Sequence, residues 1–423
     1  MSSRSLRSAL LFCGPALLVL GALVVYPIVA TVAFSFMDRT GRGFVGLANY
    51  REMLTNPRIL LAIRNNAIWV IVVPPVVTVF GLVFAVLTER IGYSRAFKTI
   101  IFMPMAISLV AGGVIWRVVY EEDPDRGLIN AGIRAGESIF RSPGPYPGAA
   151  PSEGLRRTGE AIASTRDVRS GDAIALGLLQ LSAGEVPDEA RQALMPRAED
   201  GSVVGAVFRD FTPGRRGTRG AVDPGELGLP GASVEIRHRD GTVAGDAVTD
   251  ERGRFTIDDV RGGPFEVVLP SSNFRHAFGG IQWLGPTLVT PAIIAAYTWI
   301  WAGFAMIVIG AGLAAISREV LEAARVDGAN EWQTFRYVTV PLLAPVLLVV
   351  LVTLVIYVLK VFDIVLVIAP SNVQDDANVV ALEMWQTAFG ARNLGLGSAV
   401  AVLLFAFVVP VMALNIRRFR SEA

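Results

Sequence analysis

The chain has 423 residues, 52% of them hydrophobic, a formal net charge of +1, one cysteine and two histidines. A mean hydropathy of +0.51 is too apolar for an ordinary soluble protein of this length, and the near-zero charge argues against nucleic acid as the main partner. Cys13 alone excludes an intrachain disulfide, and with only His238 and His276 a multi-histidine metal centre is excluded as well.

A bilayer-crossing helix needs roughly 20 mostly apolar residues. Six segments qualify: Leu10–Phe36, Ala67–Thr88, Thr99–Val119, Thr287–Ile316, Pro341–Ala369 and Leu396–Ile416. Pro74, Pro75, Pro291 and Pro410 fall inside them, as membrane helices allow where neighbours satisfy the freed backbone. The first segment follows Arg4 and Arg7, as a signal peptide would, but its apolar run is long and no small-residue cleavage site follows; it reads as an uncleaved span.

Positive charge sets the orientation. Arg4 and Arg7 precede the first span, Arg90, Arg95 and Lys98 lie between the second and third, Arg318, Arg325 and Arg336 between the fourth and fifth, and Arg417, Arg418 and Arg420 after the sixth. All four groups fall on one side, the cytoplasm, so both termini are expected inside. The expected class is an all-α polytopic membrane protein of six transmembrane helices, carrying an inserted, extracytoplasmic, mainly-β domain.

That insertion is the polar, glycine- and proline-rich stretch from about Glu121 to Ala277, too long for an ordinary connection. The division is residues 1–135 for the first three spans, 136–278 for the insertion and 279–423 for the last three. Within the insertion, 136–200 reads as linker with one helical stretch at Asp172–Leu181 and a linker run at Ser142–Gly148. Residues 201–270 read as a small β-sandwich, with strands at Val203–Phe208, Ala232–Arg237, Gly245–Thr249, Arg254–Ile257 and Phe265–Leu269 between glycine and aspartate turns. Its turn placement resembles the prealbumin-like repeats of bacterial surface proteins. Asp210, Asp223 and Glu226 are the acids there that suit calcium; solvated turn residues are the plainer reading.

The most informative stretch is SREVLEAARVDGANEWQTFRYVTVPLLAP, residues 317–345. Ser317 caps a short helix, Glu319 sits in its first turn, and Gly328 ends it. Asn330 with Gln333 caps a second helix, limited by Pro341. Leu321 and Ala324, with Val320 and Ala323 beside them, give the first helix an apolar surface for another protein to cover.

This loop, 317–341, resembles the coupling motif of the permeases of ATP-binding-cassette (ABC) importers: Glu-Ala-Ala, three residues, Gly, nine residues, an apolar residue, then apolar-Pro. Here these are Glu322, Ala323, Ala324, Gly328, Val338, Val340 and Pro341, and the extended form through Asp327 and Ala329 resembles the carbohydrate-uptake branch. FVGLANYREML, Asn65, Phe102–Pro104, Trp116, Gly127–Gly132, Trp283–Gly285, Val361–Asp363 and Ala388–Gly390 fit the same branch. Ala369-Pro370-Ser371 stands where the family has a Gly-Gly-Pro turn.

The resemblance implies a type I importer permease in the bacterial cytoplasmic membrane, working by alternating access. Its Glu322–Ala329 helix would sit in the cleft of a cytoplasmic ATPase, present in two copies, with a second permease subunit completing a heterodimer and an extracytoplasmic solute-binding protein delivering a sugar. ATP and Mg would be bound by the ATPase. The chain contains no Gly-Lys pair, hence no P-loop, and so needs a separate energy source; neither a catalytic nor a metal site is expected.

Polar and aromatic residues within spans mark the expected substrate path. They are Tyr297, Trp299 and Trp301 in span four and Tyr357, Lys360 and Asp363 in span five, with Lys360 and Asp363 close enough on one helix to pair. A permease for another solute, such as glycerol phosphate, and a membrane-anchored ligand-binding surface or sensor protein are the alternatives; the second leaves the coupling loop unexplained.

Overall fold

The computed structural model describes residues 3–89, 92–140, 142–211 and 217–421, the side chains of 3–11, 140, 183 and 411–421 excepted. Arg90 therefore lies outside the described residues, as do the side chains of Arg4, Arg7, Arg417, Arg418 and Arg420. The chain divides into two compact units, one of Met1–Glu122, Arg126–Leu128 and Gln282–Ala423, the other of Asp123–Asp125 and Ile129–Ile281.

The first unit is helical. In chain order it holds α1 (Ser3–Leu20), α2 (Tyr26–Phe34), α3 (Ala48–Thr55), α4 (Pro57–Glu89), α5 (Ser94–Phe102) and α6 (Leu109–Val119). α7 (Leu128–Phe140) leads into the other unit. After it come α8 (Val289–Ala314), α9 (Arg318–Val326), α10 (Glu331–Thr334), α11 (Val340–Leu359), α12 (Asp363–Ile368), α13 (Gln374–Ala377), α14 (Val380–Trp385) and α15 (Leu394–Ser421).

Among the described residues four helices are long and apolar enough to cross a membrane: Phe12–Phe34, Pro57–Glu89, Val289–Ala314 and Glu331–Leu359. A fifth is the pair Ser94–Ala106 and Leu109–Val119, bent by 101°, and α15 is apolar over Leu394–Pro410.

Two expected spans are thus not single helices. The segment Thr99–Val119 breaks before Ser108, whose hydroxyl accepts from the Ala111 amide at 3.1 Å and starts α6. The chain passes through a tight helical turn at Met103–Ala106 and leaves helix at Ile107, which is extended with φ of −84° and ψ of 139°. The segment Pro341–Ala369 stops at Leu359 and resumes at Asp363. Lys360 and Asp363 consequently do not share one helix face.

The core of this unit is the pairing of α4 with α8, where Trp69, Val73 and Val77 on one helix and Ile293, Ala296, Tyr297, Ala305 and Ile309 on the other are buried; Ile59 and Ala62 at the start of α4 pack instead with Met53, Val380, Leu396 and Val400. The helices touch closely at Gly81, where an added Cβ would collide with the Cβ of Ala305 and the backbone behind it. Between apolar helices in lipid, such close packing replaces the missing hydrophobic drive. Gly113 likewise admits Val367 of α12, at 2.8 Å from the site of a Cβ.

The second unit is mainly strand, from β1 to β9: β1 (Ala150–Pro151), β2 (Leu155–Thr158), β3 (Ala161–Ser164), β4 (Ala173–Leu179), β5 (Val203–Arg209), β6 (Ser233–Arg237), β7 (Val243–Val248), β8 (Arg254–Ile257) and β9 (Glu266–Leu269). One sheet has the order β1-β4-β5-β8 and the other β2-β3-β9-β6-β7, with β4 and β5 parallel. Leu176, Val203, Val207 and Phe255 of the first sheet share one apolar core with Leu155, Ile162, Val234, Ile236 and Leu269 of the second.

The stretch Asp172–Leu181, expected to be helical, is strand β4. Its Ala- and Leu-rich composition favours helix, but Ile174, Leu176 and Leu178 alternate into the core and β5 supplies a full ladder; tertiary pairing overrides propensity. The strands thus begin well before residue 201. Nor is Ser142–Gly148 a free linker: the Gly144 and Tyr146 amides donate to the Arg275 and Asn273 carbonyls, both at 2.9 Å, and the Tyr146 ring is fully buried.

The three acids considered for calcium are engaged in their own loop. Asp210 accepts from the Ser152 hydroxyl and, at 2.7 Å, from the Gly220 amide; Asp223 accepts from the Thr218 amide, and Glu226 from the Asp223 amide at 3.0 Å. Among the described residues no metal-binding group of histidine, cysteine and acids is gathered.

The close approach of α4 and α8 is testable. Gly81→Val should lower thermal stability in detergent by about 1–3 kcal/mol, the cost of overpacking, whereas Gly310→Ala, whose Cβ meets only the Ala85 methyl at 4.0 Å, should change it little. A fluorescence-based melting curve on the purified protein reads both.

Candidate functional site

The loop 317–341, expected to be the coupling motif, is built as two short helices around a left-handed turn. Ser317 stands at the N-cap of α9 with the backbone angles of a cap but no side-chain hydrogen bond to the helix. Gly328 has φ of +88°, the region where other residues pay for their Cβ. The amides of Asp327, Gly328 and Ala329 donate to the carbonyls of Ala323, Arg325 and Ala324 at 3.0, 3.1 and 3.0 Å, closing the end of α9. The Asn330 side chain accepts from the Gln333 amide while the Gln333 side chain accepts from the Asn330 amide, both at 2.8 Å, a complete capping box at the start of α10. Arg325 and Glu331 form an ion pair across the turn at 3.1 Å.

None of the α9 residues is buried. Glu322, Ala323, Asp327 and Gly328 are exposed, Val320 is 43% exposed and Val326 86%. Leu321 and Ala324, expected to share one outward apolar surface with Val320 and Ala323, are half-buried. Leu321 lines an inward hollow of about 630 Å³ with Leu82, Leu87, Leu313, Trp332 and Phe335. The outward apolar face is therefore Val320, Ala323 and Val326. Ala329 is half-buried, and Pro341 is exposed in the first turn of α11.

The residues expected along the substrate path separate into two groups. Tyr297, Trp301, Tyr357 and Lys360 form a column continued by Trp69: ring centres are 5.3 Å apart for Trp69–Tyr297, 5.8 Å for Tyr297–Trp301 and 4.6 Å for Trp301–Tyr357, and the Lys360 Nζ lies 5.6 Å over the Tyr357 ring. The Trp301 indole N–H is buried with no hydrogen-bond partner among the described residues. Trp299 stands elsewhere on α8, edge-on to Trp116 at 5.6 Å, lining an apolar groove of about 860 Å³ between α4, α5 and α8. Asp363 starts α12 and makes no ion pair with Lys360.

A third constellation escaped sequence reasoning. The Asn65 side-chain amide donates to the carbonyls of Asp376 and Asn378, both at 2.9 Å, and the Asn66 side-chain oxygen accepts from the Val380 amide at 2.9 Å. Buried Glu383 accepts from Asn378 and from the Thr387 hydroxyl and pairs with the Arg58 Nε at 2.9 Å. Arg58 also reaches Asp375 at 3.0 Å and Gln386. These side chains tie the start of α4 to the irregular chain 374–387. Two adjacent asparagines at the edge of an apolar run are costly in a membrane, which was the available signal. In the neighbouring loop, the Thr40 hydroxyl and then the amides of Arg42, Gly43 and Thr40 hold the exposed Asp38 carboxyl down at about 2.

The family description that matches the chain, over residues 246–420, is binding-protein-dependent transport system inner membrane component. From end to end the chain is similar to the osmoprotective compounds uptake permease of Synechocystis sp., 30% identical over 413 residues covering 97% of this chain and 99% of that one. The chain belongs to this family of inner membrane transport components. It is also similar to the alpha-glucoside transport system permease of Rhizobium meliloti, 30% identical over 429 residues covering 100% of this chain and 87% of that one. These matches run through the central segment, which the family motifs alone had left out. A chain of a bacterial ABC transporter involved in the import of the acidic polysaccharide alginate has the same fold, with a TM-score of 0.56, 14% identity and 98% of each chain covered. The fold is thus that of type I ABC permeases.

Glu383 is 5% exposed in its side chain and Arg58 44%. Removing the buried acid's partner from the clamp should therefore cost less than the 3–5 kcal/mol of a fully buried pair: Arg58→Ala is expected to lower stability in detergent by about 2 kcal/mol. Asp375→Asn, at a site 66% exposed, should have no measurable effect. Thermal unfolding of the two variants checks both.

Proposed function

We propose that this chain is a permease subunit of a bacterial ABC importer and forms the path by which a sugar, an oligosaccharide or a glycoside, crosses the cytoplasmic membrane. The observation that carries the sugar reading is the full-length likeness to the alpha-glucoside permease, supported by a shorter likeness to the trehalose/maltose transport permease of Thermococcus litoralis, 36% identical over 148 residues. A column of packed aromatics carrying a cation at Lys360 and an unused indole N–H at Trp301 suits a sugar, which presents C–H faces to rings and hydroxyls to donors and acceptors.

In this reading six spans cross the membrane: α1–α2, α4, α5–α6, α8, α11–α12 and α15. Both termini lie in the cytoplasm with Arg95, Lys98, Arg318, Arg325 and Arg336, and the β-sheet unit lies outside. The outward face of α9 with Glu322, Ala323 and Val326 docks into a separate ATPase, two copies of which bind ATP and Mg and drive transport. A second, different permease completes the membrane pair, and an extracytoplasmic binding protein delivers the sugar. Closure of the ATPase pair moves α9, and through α10 and α11 the motion reaches Tyr357 and Lys360 at the far end of the same helix.

Two variants test this. Gly328→Asp puts a Cβ and a charge on a turn held at φ of +88°, and that Cβ would meet nothing within 4 Å, so the strain stays in the loop that ends α9 and the spans are left alone. Pulled down from gently solubilised membranes, the wild-type chain should bring a second permease and an ATPase, and the variant should lose the ATPase; absence of any ATPase from the wild type overturns the reading. Trp301→Ala should keep the ATPase but reduce uptake of labelled α-glucosides roughly tenfold, the worth of a strong aromatic contact.

A further inference from the structure

We propose that Arg325 and Glu331 are positioning residues of the coupling loop: their ion pair is a strut that fixes the angle between α9 and α10, so that motion imposed on α9 reaches the membrane helices without slack. The inference rests on the permease reading above and goes beyond it by naming what makes the lever stiff. α9 has nine residues and buries none of them, and a helix that short is marginal in water by itself. Apolar packing at half-buried Leu321 and Ala324 leaves its tilt weakly fixed.

The turn at Gly328 is the point where tilt can change, because a glycine there restricts the chain least. Two ties cross the turn from α9: the Ala329 amide on the Ala324 carbonyl at 3.0 Å, and the Arg325–Glu331 pair at 3.1 Å. The second reaches α10 itself, beside the hollow that Leu321 of α9 lines together with Trp332 of α10. Its charges are placed to suit both helices, with the cation in the last turn of α9 and the anion in the first turn of α10, each against the opposite end of its helix dipole. From Glu331 the connection is rigid, since the capping box of Asn330 and Gln333 locks the start of α10, and the chain from Thr334 runs on through a helical turn into α11. The outward face of Val320, Ala323 and Val326 takes no part in the pair, so docking and stiffness are separable.

The test uses the intact importer complex in proteoliposomes, with ATP hydrolysed and labelled α-glucoside accumulated measured together. Arg325→Gln and Glu331→Gln should each retain the ATPase on pull-down but raise the ATP spent per sugar moved roughly two- to threefold, the shift that an exposed ion pair's energy produces. The charge-exchanged double variant Arg325→Glu with Glu331→Arg should recover most of the wild-type ratio. An unchanged ratio in the single variants, or a double variant no better than either, overturns the strut. Loss of the ATPase from Arg325→Gln with no recovery in the exchange also overturns it, and makes Arg325 a docking residue. Failure of the wild-type chain to carry an ATPase would instead count against the permease reading itself.

Discussion

Inside a bilayer an unpaired amide or carbonyl has no water to turn to, and the side chains of Asn65 and Asn66 meet that demand for the irregular chain between α12 and α14. Together they take up two carbonyls and one amide of residues 376–380. Glu383, Thr387 and Arg58 extend the same arrangement to the start of α4. Helix α4, which carries this clamp at its start, also carries Trp69, and Trp69 continues the aromatic column of Tyr297, Trp301 and Tyr357.

The coupling loop shows the complementary economy. The membrane helices bury Gly81 against Ala305 and Gly113 against Val367, close contacts that leave no room for a Cβ. α9 is held by a glycine turn, a capping box and an ion pair, and leaves its outer face bare. Val320, Ala323 and Val326 stand exposed beside Glu322 on this outer face, a small apolar surface of the kind a partner can cover. The stiffness of the loop and the bareness of its face are both what a lever for a partner's stroke requires.

Much of this was legible in the amino-acid order because membrane helices and caps obey local rules. The apolar runs around α4, α8 and α11, the Asn330–Gln333 capping box and the left-handed position of Gly328 follow from composition and spacing alone. The breaks at Ser108 and Lys360 were not legible, since a helix interrupted in a membrane depends on partners remote in sequence, as the packing of Gly113 on Val367 illustrates. For the same reason β4 passed for a helix: AIALGLL is a good helix former, and only pairing with β5 makes it a strand. Leu321 and Ala324 looked outward because spacing gives a helix's faces but not which of them the rest of the chain covers. Asn65 could be picked out by resemblance; its role, with Asn66 and Glu383, needed the fold.

The central claim is that the outer face of α9 is where another protein takes hold. Cys13 is the chain's only cysteine, so a Cys13→Ser background accepts single cysteines at Ala323, Val326 and Leu321, each fitted with a short thiol-to-amine photo-crosslinker in native membranes. The account predicts adducts with the ATPase subunit from Ala323 and Val326, on the bare face, and none from Leu321, which lines the inward hollow. Adducts from Leu321 alone, or none from either exposed position while the complex remains active, would contradict it.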